Sequence, residues 1–179
     1  MGKFDTNKFD GVKNVWETPV SLFTKLNNEF NFTLDVAASD TNKKVEKYFD
    51  ENIDGLKQDW TNEICWCNPP YGRSMPLWLN KAKAESKKGA TTVLLILAKT
   101  NTKWFHEICM NATEVRFIKG RPKFVGAKDG LPFPLIIVVF KPHNNFECKF
   151  SSYSFEKHVN RPKGFFTKKE TLSKPIKLF

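Results

Sequence analysis

Two apolar runs constrain this chain more than any other feature. Thr91–Leu97 (TTVLLIL) and Leu135–Phe140 (LIIVVF) carry no charge and no polar alternation. A strand with one wet face alternates apolar and polar side chains, whereas an unbroken apolar strand needs cover on both faces. The runs therefore predict a sheet held between two other layers. The intervening segments supply those layers. Ser74–Lys88 places Leu77, Trp78, Lys81, Ala82 and Glu85 at helical spacing and ends at Gly89, a C-terminal stop. Thr102–Asn111 gathers Trp104, Phe105, Ile108 and Cys109 on one side. Nearer the start, Thr18-Pro19 predicts a helix opening, with Thr18 as cap and Pro19 as first helical residue. Leu22, Phe23 and Leu26 then share a face.

Phe32–Val36, Ile64–Cys67 and Glu114–Ile118 predict further strands, with a short one near Tyr48-Phe49. A short helix is expected within the Lys-rich Ser39–Lys47. Strands alternating with helices predict an α/β sheet, mainly parallel, with helices on both faces. Only the Gly/Pro-rich loop Gly120–Pro134 separates the final two strands, so the last strand is expected to be antiparallel. Residues 1–140 read as one domain. Residues 141–179 hold nine Lys/Arg against three Glu and read as a basic tail or extension, either mobile or in contact with a polyanion.

The formal net charge of +10 favours a polyanionic partner, and nucleic acid is the commonest. No apolar run approaches the roughly 20 residues of a membrane span. The opening residues Met1-Gly2-Lys3-Phe4-Asp5 lack the apolar core of a signal peptide, so a cytoplasmic location is expected. Cys65 and Cys67 have no second Cys or His pair at zinc spacing. They read as small buried residues in a reducing compartment, and no metal is expected.

Ile64–Cys67 ends abruptly at Asn68-Pro69-Pro70-Tyr71. Two prolines stop a strand by removing N–H donors and fixing φ. Ligands bind outside the carboxyl ends of strands in open α/β sheets, so this is where a site is expected. The residue types suit one chemistry. An exocyclic amine is a poor nucleophile because its lone pair is delocalised into the ring. Acceptors on its two N–H bonds pull it towards a tetrahedral shape and stabilise the positive charge that grows on attack. The Asn68 side-chain oxygen and the Pro69 carbonyl are candidate acceptors, Pro70 holds the chain, and Tyr71 offers a π face for a base taken out of its helix. The alternative is a plain Asn-Pro-Pro turn after a strand. His106, beside Trp104-Phe105, reads as structural, since this chemistry needs no imidazole.

Asn-Pro-Pro-Tyr resembles the signature of the amino-group methyltransferases. Further segments are similar to one branch, the phage-type DNA N6-adenine methyltransferases (Dam-like). They are Trp16-Glu17-Thr18-Pro19, Leu34-Asp35-Val36-Ala37-Ala38, Asp54-Gly55-Leu56 with Asp59-Trp60, Trp66-Cys67 through Gly72, and Gly120-Arg121 through Phe133-Pro134. The resemblance runs from about Trp16 to Phe140. It implies a Rossmann-like class I methyltransferase sheet, S-adenosylmethionine as methyl donor and the N6 amine of adenine in double-stranded DNA as target, the adenine being flipped out. For a phage-encoded protein it also implies the host cytoplasm.

The resemblance further implies cofactor contacts from Thr18, Pro19, Asp35, Ala37, Ala38, Phe49 and Asp54. Phe49 would cover the adenine of the cofactor and Asp54 would bond its amino group. Asp54 reads equally as a turn residue of Asp-Gly, and Asp35 has an alternative as a helix cap. One departure stands out. The cofactor loop of the wider superfamily is Gly-rich, yet Ala37-Ala38 follow Asp35 here. Candidate DNA contacts are Arg116, Arg121, Lys123, Phe124 and Lys128, from the last strands and the loop after Gly120, the alternatives being a sheet-edge place for Arg116 and a solvated hairpin for the loop. Only one helix fits between Tyr71 and Thr91, so no inserted recognition domain is expected there, and a short or loosely read target is. RNA or protein-glutamine methylation, or DNA binding without turnover, are the rival readings. Basic charge favours nucleic acid over protein, and the phage-branch similarity favours DNA over RNA. Nothing in the sequence sets the oligomeric state.

Overall fold

The computed structural model describes residues 17–124, 133–142 and 147–155. Six strands form one sheet: β1 (Leu34–Asp35), β2 (Ile64–Cys67), β3 (Thr91–Leu97), β4 (Glu114–Ile118), β5 (Leu135–Phe140) and β6 (Lys149–Tyr153). Their order across the sheet is β1-β2-β3-β5-β4-β6. Three pairings are parallel, β1–β2, β2–β3 and β4–β6. The two made by β5 are antiparallel, Val93 facing Val139 on one side and Val115 facing Val138 on the other. The antiparallel strand is thus β5, as its short connection predicts. It is not the last strand, because β6 follows and runs parallel to β4.

Helices cover both faces. α1 (Val20–Phe30) sets Leu22, Phe23, Leu26 and Phe30 against Trp66, Val93, Leu95, Ile137 and Val139. α2 (Met75–Ser86) and α3 (Lys103–Glu107) bring Trp78, Leu79, Ala82 and Phe105 to the other face, against Cys65, Cys67, Leu94, Ile96, Ile136 and Val138. The alternation along Val93–Ile96 and Leu135–Phe140 therefore feeds two separate cores. This is why those runs tolerate no polar residue.

Several local expectations change. Pro19 is the N-cap of α1 with an extended ψ of 134°, and its carbonyl accepts from Leu22 N and Phe23 N, both at 3.1 Å. Thr18 therefore precedes the helix instead of capping it, and its buried side chain serves another purpose described below. Tyr48 makes an isolated bridge to Asp35, and no helix forms within Ser39–Lys47. The predicted helix Thr102–Asn111 breaks at Ile108 (φ −116°) into α3 and a 3₁₀ turn, Cys109–Asn111. α2 ends as its Gly89 signal predicts. Gly89 sits at φ +101°, and a Cβ there would lie 2.4 Å from Asn62 Oδ1.

β4 and β6 are tied to α1 by a charged cluster. Arg116 is buried and donates to both carboxylate oxygens of Glu29, at 2.7 and 2.5 Å, and to Glu114 at 2.8 Å. Its guanidinium also lies over Phe30 and Tyr153, 5.3 and 5.6 Å from their ring centroids. A planar fork with two carboxylates and two aromatic faces is a fully engaged structural group.

Candidate active site

β1 and β2 lie side by side and parallel, so the chain leaves both at the same edge of the sheet. β1 delivers Asp35 and the loop Val36–Asn42; β2 delivers Asn68 and the loop to α2. The backbone fixes this junction. Val36 N donates to Trp66 O (3.0 Å), Ala38 N to Phe49 O (3.0 Å) and Phe49 N to Asp35 O (2.9 Å). The segment around Phe49 thus acts as a short outer rail for β1.

Between these loops lies a cleft of about 670 Å³, within the usual range for small-molecule sites. Ala37, Ala38 and Phe49 line one side, Asp54 and Gly55 another, and Asn68, Pro70 and Trp78 close it. Asp40, Asp50 and Glu51 add negative charge to its wall. A second pocket of about 20 Å³ has room for one water-sized molecule. Thr18, Asp35, Lys44 and Trp66 line it. Ala37, Asn42 and Asn68 border both spaces. The structure therefore gathers Thr18, Asp35, Ala37, Ala38, Phe49, Asp54, Asn68 and Pro70 around two adjoining spaces. Pro19, Pro69 and Tyr71 line neither.

Asp35 is a buried carboxylate. Its oxygens accept from Lys44 N (3.0 Å) and Ala37 N (3.4 Å), while the Lys44 ammonium is held by Glu17 at 2.8 Å. Loss of water raises its pKa to about 6 against the pull of those bonds and of Lys44. The folded state therefore holds this proton at pH values where the unfolded chain, near 3.8, has lost it. Stability from this group is present below pH 3.8 and is lost as pH rises through 6. The displacement corresponds to about 3 kcal/mol. Asp35→Asn should remove that fall; urea unfolding of both proteins between pH 4.5 and 7 checks it. An identical pH slope in the variant would assign the effect elsewhere.

Asp54 sits at φ +58°, caps the 3₁₀ turn Gly55–Lys57 through Leu56 N (3.2 Å), and pairs with Lys57 at 3.0 Å. The Lys57 bond holds its carboxyl below the usual range. It is a turn residue and a cleft residue at once. Behind it, Trp60 Nε1 donates to Gly55 O (2.9 Å), and Trp60 N donates to Glu85 (3.1 Å). Glu85 is buried and also holds Lys81 (2.7 Å) and Lys88 (2.9 Å). Trp60 stacks on Trp78, ring centroids 6.4 Å apart, so one braced unit carries the cleft floor.

Pro69 is buried and Pro70 exposed. Tyr71 is half-buried, with its ring against both cores. Its hydroxyl is wholly buried without a hydrogen-bond partner among the described residues, and burial drives its pKa far up. An unsatisfied buried hydroxyl costs about 1–3 kcal/mol. Tyr71→Phe is therefore expected to raise the melting temperature while keeping the ring face; calorimetry on the free protein decides, and a lower melting temperature would contradict it.

The candidate DNA residues separate. Arg121 and Lys123 are exposed beyond β4. Arg116 is locked between Glu29 and Glu114, and Phe124 is buried in the α1-side core, so neither presents its side chain to a ligand. Lys128 lies outside the described residues, as does most of the basic tail. His106 is exposed on α3, edge-on to Phe105. Cys65 and Cys67 are buried free thiols, with Cys65 pushed up to about 12 by burial. No helix among the described residues is long and apolar enough to cross a membrane. The sequence reading missed Asn42 and Trp78. Trp78 shows only as one apolar position of a helix, and Asn42 as one polar residue in a polar stretch.

The family described as DNA N-6-adenine-methyltransferase (Dam) matches residues 5–164. A DNA N-6-adenine-methyltransferase of Haemophilus phage HP1 is 32% identical over 161 residues, covering 86% of this chain and 92% of that protein. Another so named, from Escherichia phage T1, is 34% identical over 116 residues, 64% of this chain and 48% of that protein. The match thus spans about half of the T1 protein.

Proposed function

This chain belongs to the DNA N-6-adenine-methyltransferase (Dam) family, and from that premise we propose that the Asn68 site moves a methyl group from S-adenosylmethionine to the N6 amine of adenine in DNA. The carrying observation is the position of Asn68. It borders the 670 Å³ cleft and the small pocket together, at the carboxyl end of β2. The antiparallel β5 inserted between β3 and β4 is compatible with the Rossmann-like class I sheet of such enzymes.

The lining fits the cofactor. Its sulfonium is cationic, and the cleft wall carries Asp40, Asp50, Glu51 and Asp54. Phe49 and Trp78 supply apolar surface for an adenine ring, and Asp54 an acceptor for its amino group. The backbone of Ala37 and Ala38 would hold the amino-acid end, backed by Asp35 and Thr18 in the adjoining small pocket. When bound, the cofactor supplies an electrophilic methyl group. The protein supplies the rest. Asn68 Oδ1 and the Pro69 carbonyl accept from the two N6–H bonds and localise the lone pair on N6, directed at the methyl carbon. The new C–N bond would use that pair, and the bound cofactor would supply the leaving group, its sulfur keeping the C–S pair. One N6 proton then leaves to water, so no strong base is required. Tyr71 would offer its ring as the face on which the extruded adenine stacks.

Labelled methyl transfer to DNA, RNA and protein, run side by side, tests this reading. Label in DNA, recovered as N6-methyladenine, is expected. Label confined to RNA or protein would overturn it, and cofactor binding without transfer to any of them would favour an accessory DNA-binding role.

A further inference from the structure

The carboxyl edge of the sheet is divided by charge. Because β2, β3 and β4 all leave at this edge, the topology brings three loops together there: Asn68–Ser74, Ala98–Thr102 and Lys119–Phe124. They carry Arg73, Lys99, Lys119, Arg121 and Lys123, all exposed, and not one Asp or Glu. None of these five cations has a carboxylate within 4.0 Å among the described residues. On the β1 side of Asn68 the pattern reverses. Asp40, Asp50, Glu51 and Asp54 line the cleft. The lysines there are neutralised: Lys43 by Glu46, Lys44 by Glu17, Lys57 by Asp54.

Unpaired exposed cations repel one another, and a surface without a polyanionic partner gains nothing by gathering them in three loops. We propose that Arg73, Lys99 and Lys119, together with Arg121 and Lys123, form a phosphate-binding track across the ends of β2, β3 and β4. The DNA backbone lies along this track, and the adenine enters the site from the side opposite the methyl donor. This rests on the DNA-methylation reading above and adds the path of the substrate to it. The order of the edge follows from the reaction. The cationic cofactor meets the acidic end, the polyanion meets the basic end, and Asn68 stands between them.

The test is the triple variant Arg73→Gln/Lys99→Gln/Lys119→Gln, with Lys83→Gln/Lys87→Gln at the far end of α2 as control. DNA binding is titrated from 50 to 200 mM salt on a short duplex, alongside cofactor binding and melting temperature. Each phosphate contact contributes about 0.9 to the slope of log K against log salt, so the slope should fall by about 2–3 in the triple variant. Affinity at 50 mM salt should drop at least tenfold, with cofactor binding unchanged. The control should keep the parent slope. Should the parent methylate DNA while the triple variant keeps its slope, or the control lose as much, the track is wrong and the function stands. A parent that neither binds nor methylates DNA overturns both.

Discussion

Asn68→Ala is expected to slow methyl transfer by about 10²–10³-fold, the scale seen when one preorganised electrostatic partner of a transition state is removed. Folding should survive. Asn68 follows the last residue of β2, whose ladder to β3 ends at Cys67–Leu94, and the residue as a whole is only half-buried. Cofactor binding should change little, because the carboxylates and apolar walls of the cleft stay in place. Asn68→Asp keeps an acceptor oxygen in the same place and should retain more activity than alanine. Single-turnover rates at saturating cofactor and DNA are the measurement. A rate for Asn68→Ala within a few-fold of the parent would remove Asn68 from the chemistry.

Gly55→Ala is expected to damage the fold and the proposed cofactor cleft together. The obstacle is space: a Cβ would lie 2.1 Å from the Val36 carbonyl oxygen and 3.4 Å from the Trp78 ring. Val36 cannot retreat easily, since its N–H is bonded to Trp66 O at 3.0 Å. The Asp54–Lys57 turn must back away, straining the Trp60 bond to Gly55 O. Overpacking of this kind costs about 1–3 kcal/mol. Because Asp54 and Gly55 line the cleft, cofactor affinity should fall roughly 5- to 150-fold if that cost is carried into binding. Gly72→Ala is the folding comparison, since nothing lies within 4 Å of its added carbon. Thermal unfolding and calorimetric titration with S-adenosylmethionine check both claims. Parent-like values for Gly55→Ala would show that the turn is not held against β1.

What the sequence revealed depended on how local the cause was. β2, β3 and β5 are apolar runs with clear ends, and α2 carries its own stop at Gly89, so each was legible in place. β6 was not. Lys149–Tyr153 is polar and mostly exposed because only one edge and part of one face of it are covered, so no periodicity marks it. The break in α3 at Ile108 also leaves no breaker residue to see. Arg116 looked like a ligand-binding arginine because its partner Glu29 lies 87 positions away in sequence. Phe124 looked like a DNA contact because its loop is basic, yet it lies in the core beneath α1. Among site residues, Asn68, Asp35 and Asp54 stood out through motif and strand end. Trp78 and Asn42 join the site only once α2 and the 39–42 turn are folded onto the edge.

Every role given to the cleft turns on adenine-N6 methylation of DNA at Asn68. Methylation-sensitive sequencing of DNA from cells expressing the parent or Asn68→Ala, at equal protein levels, tests it most directly. N6-methyladenine at a short, recurrent sequence is expected with the parent, and its loss with the variant. Unmodified adenine in both, or equal modification in both, would contradict it.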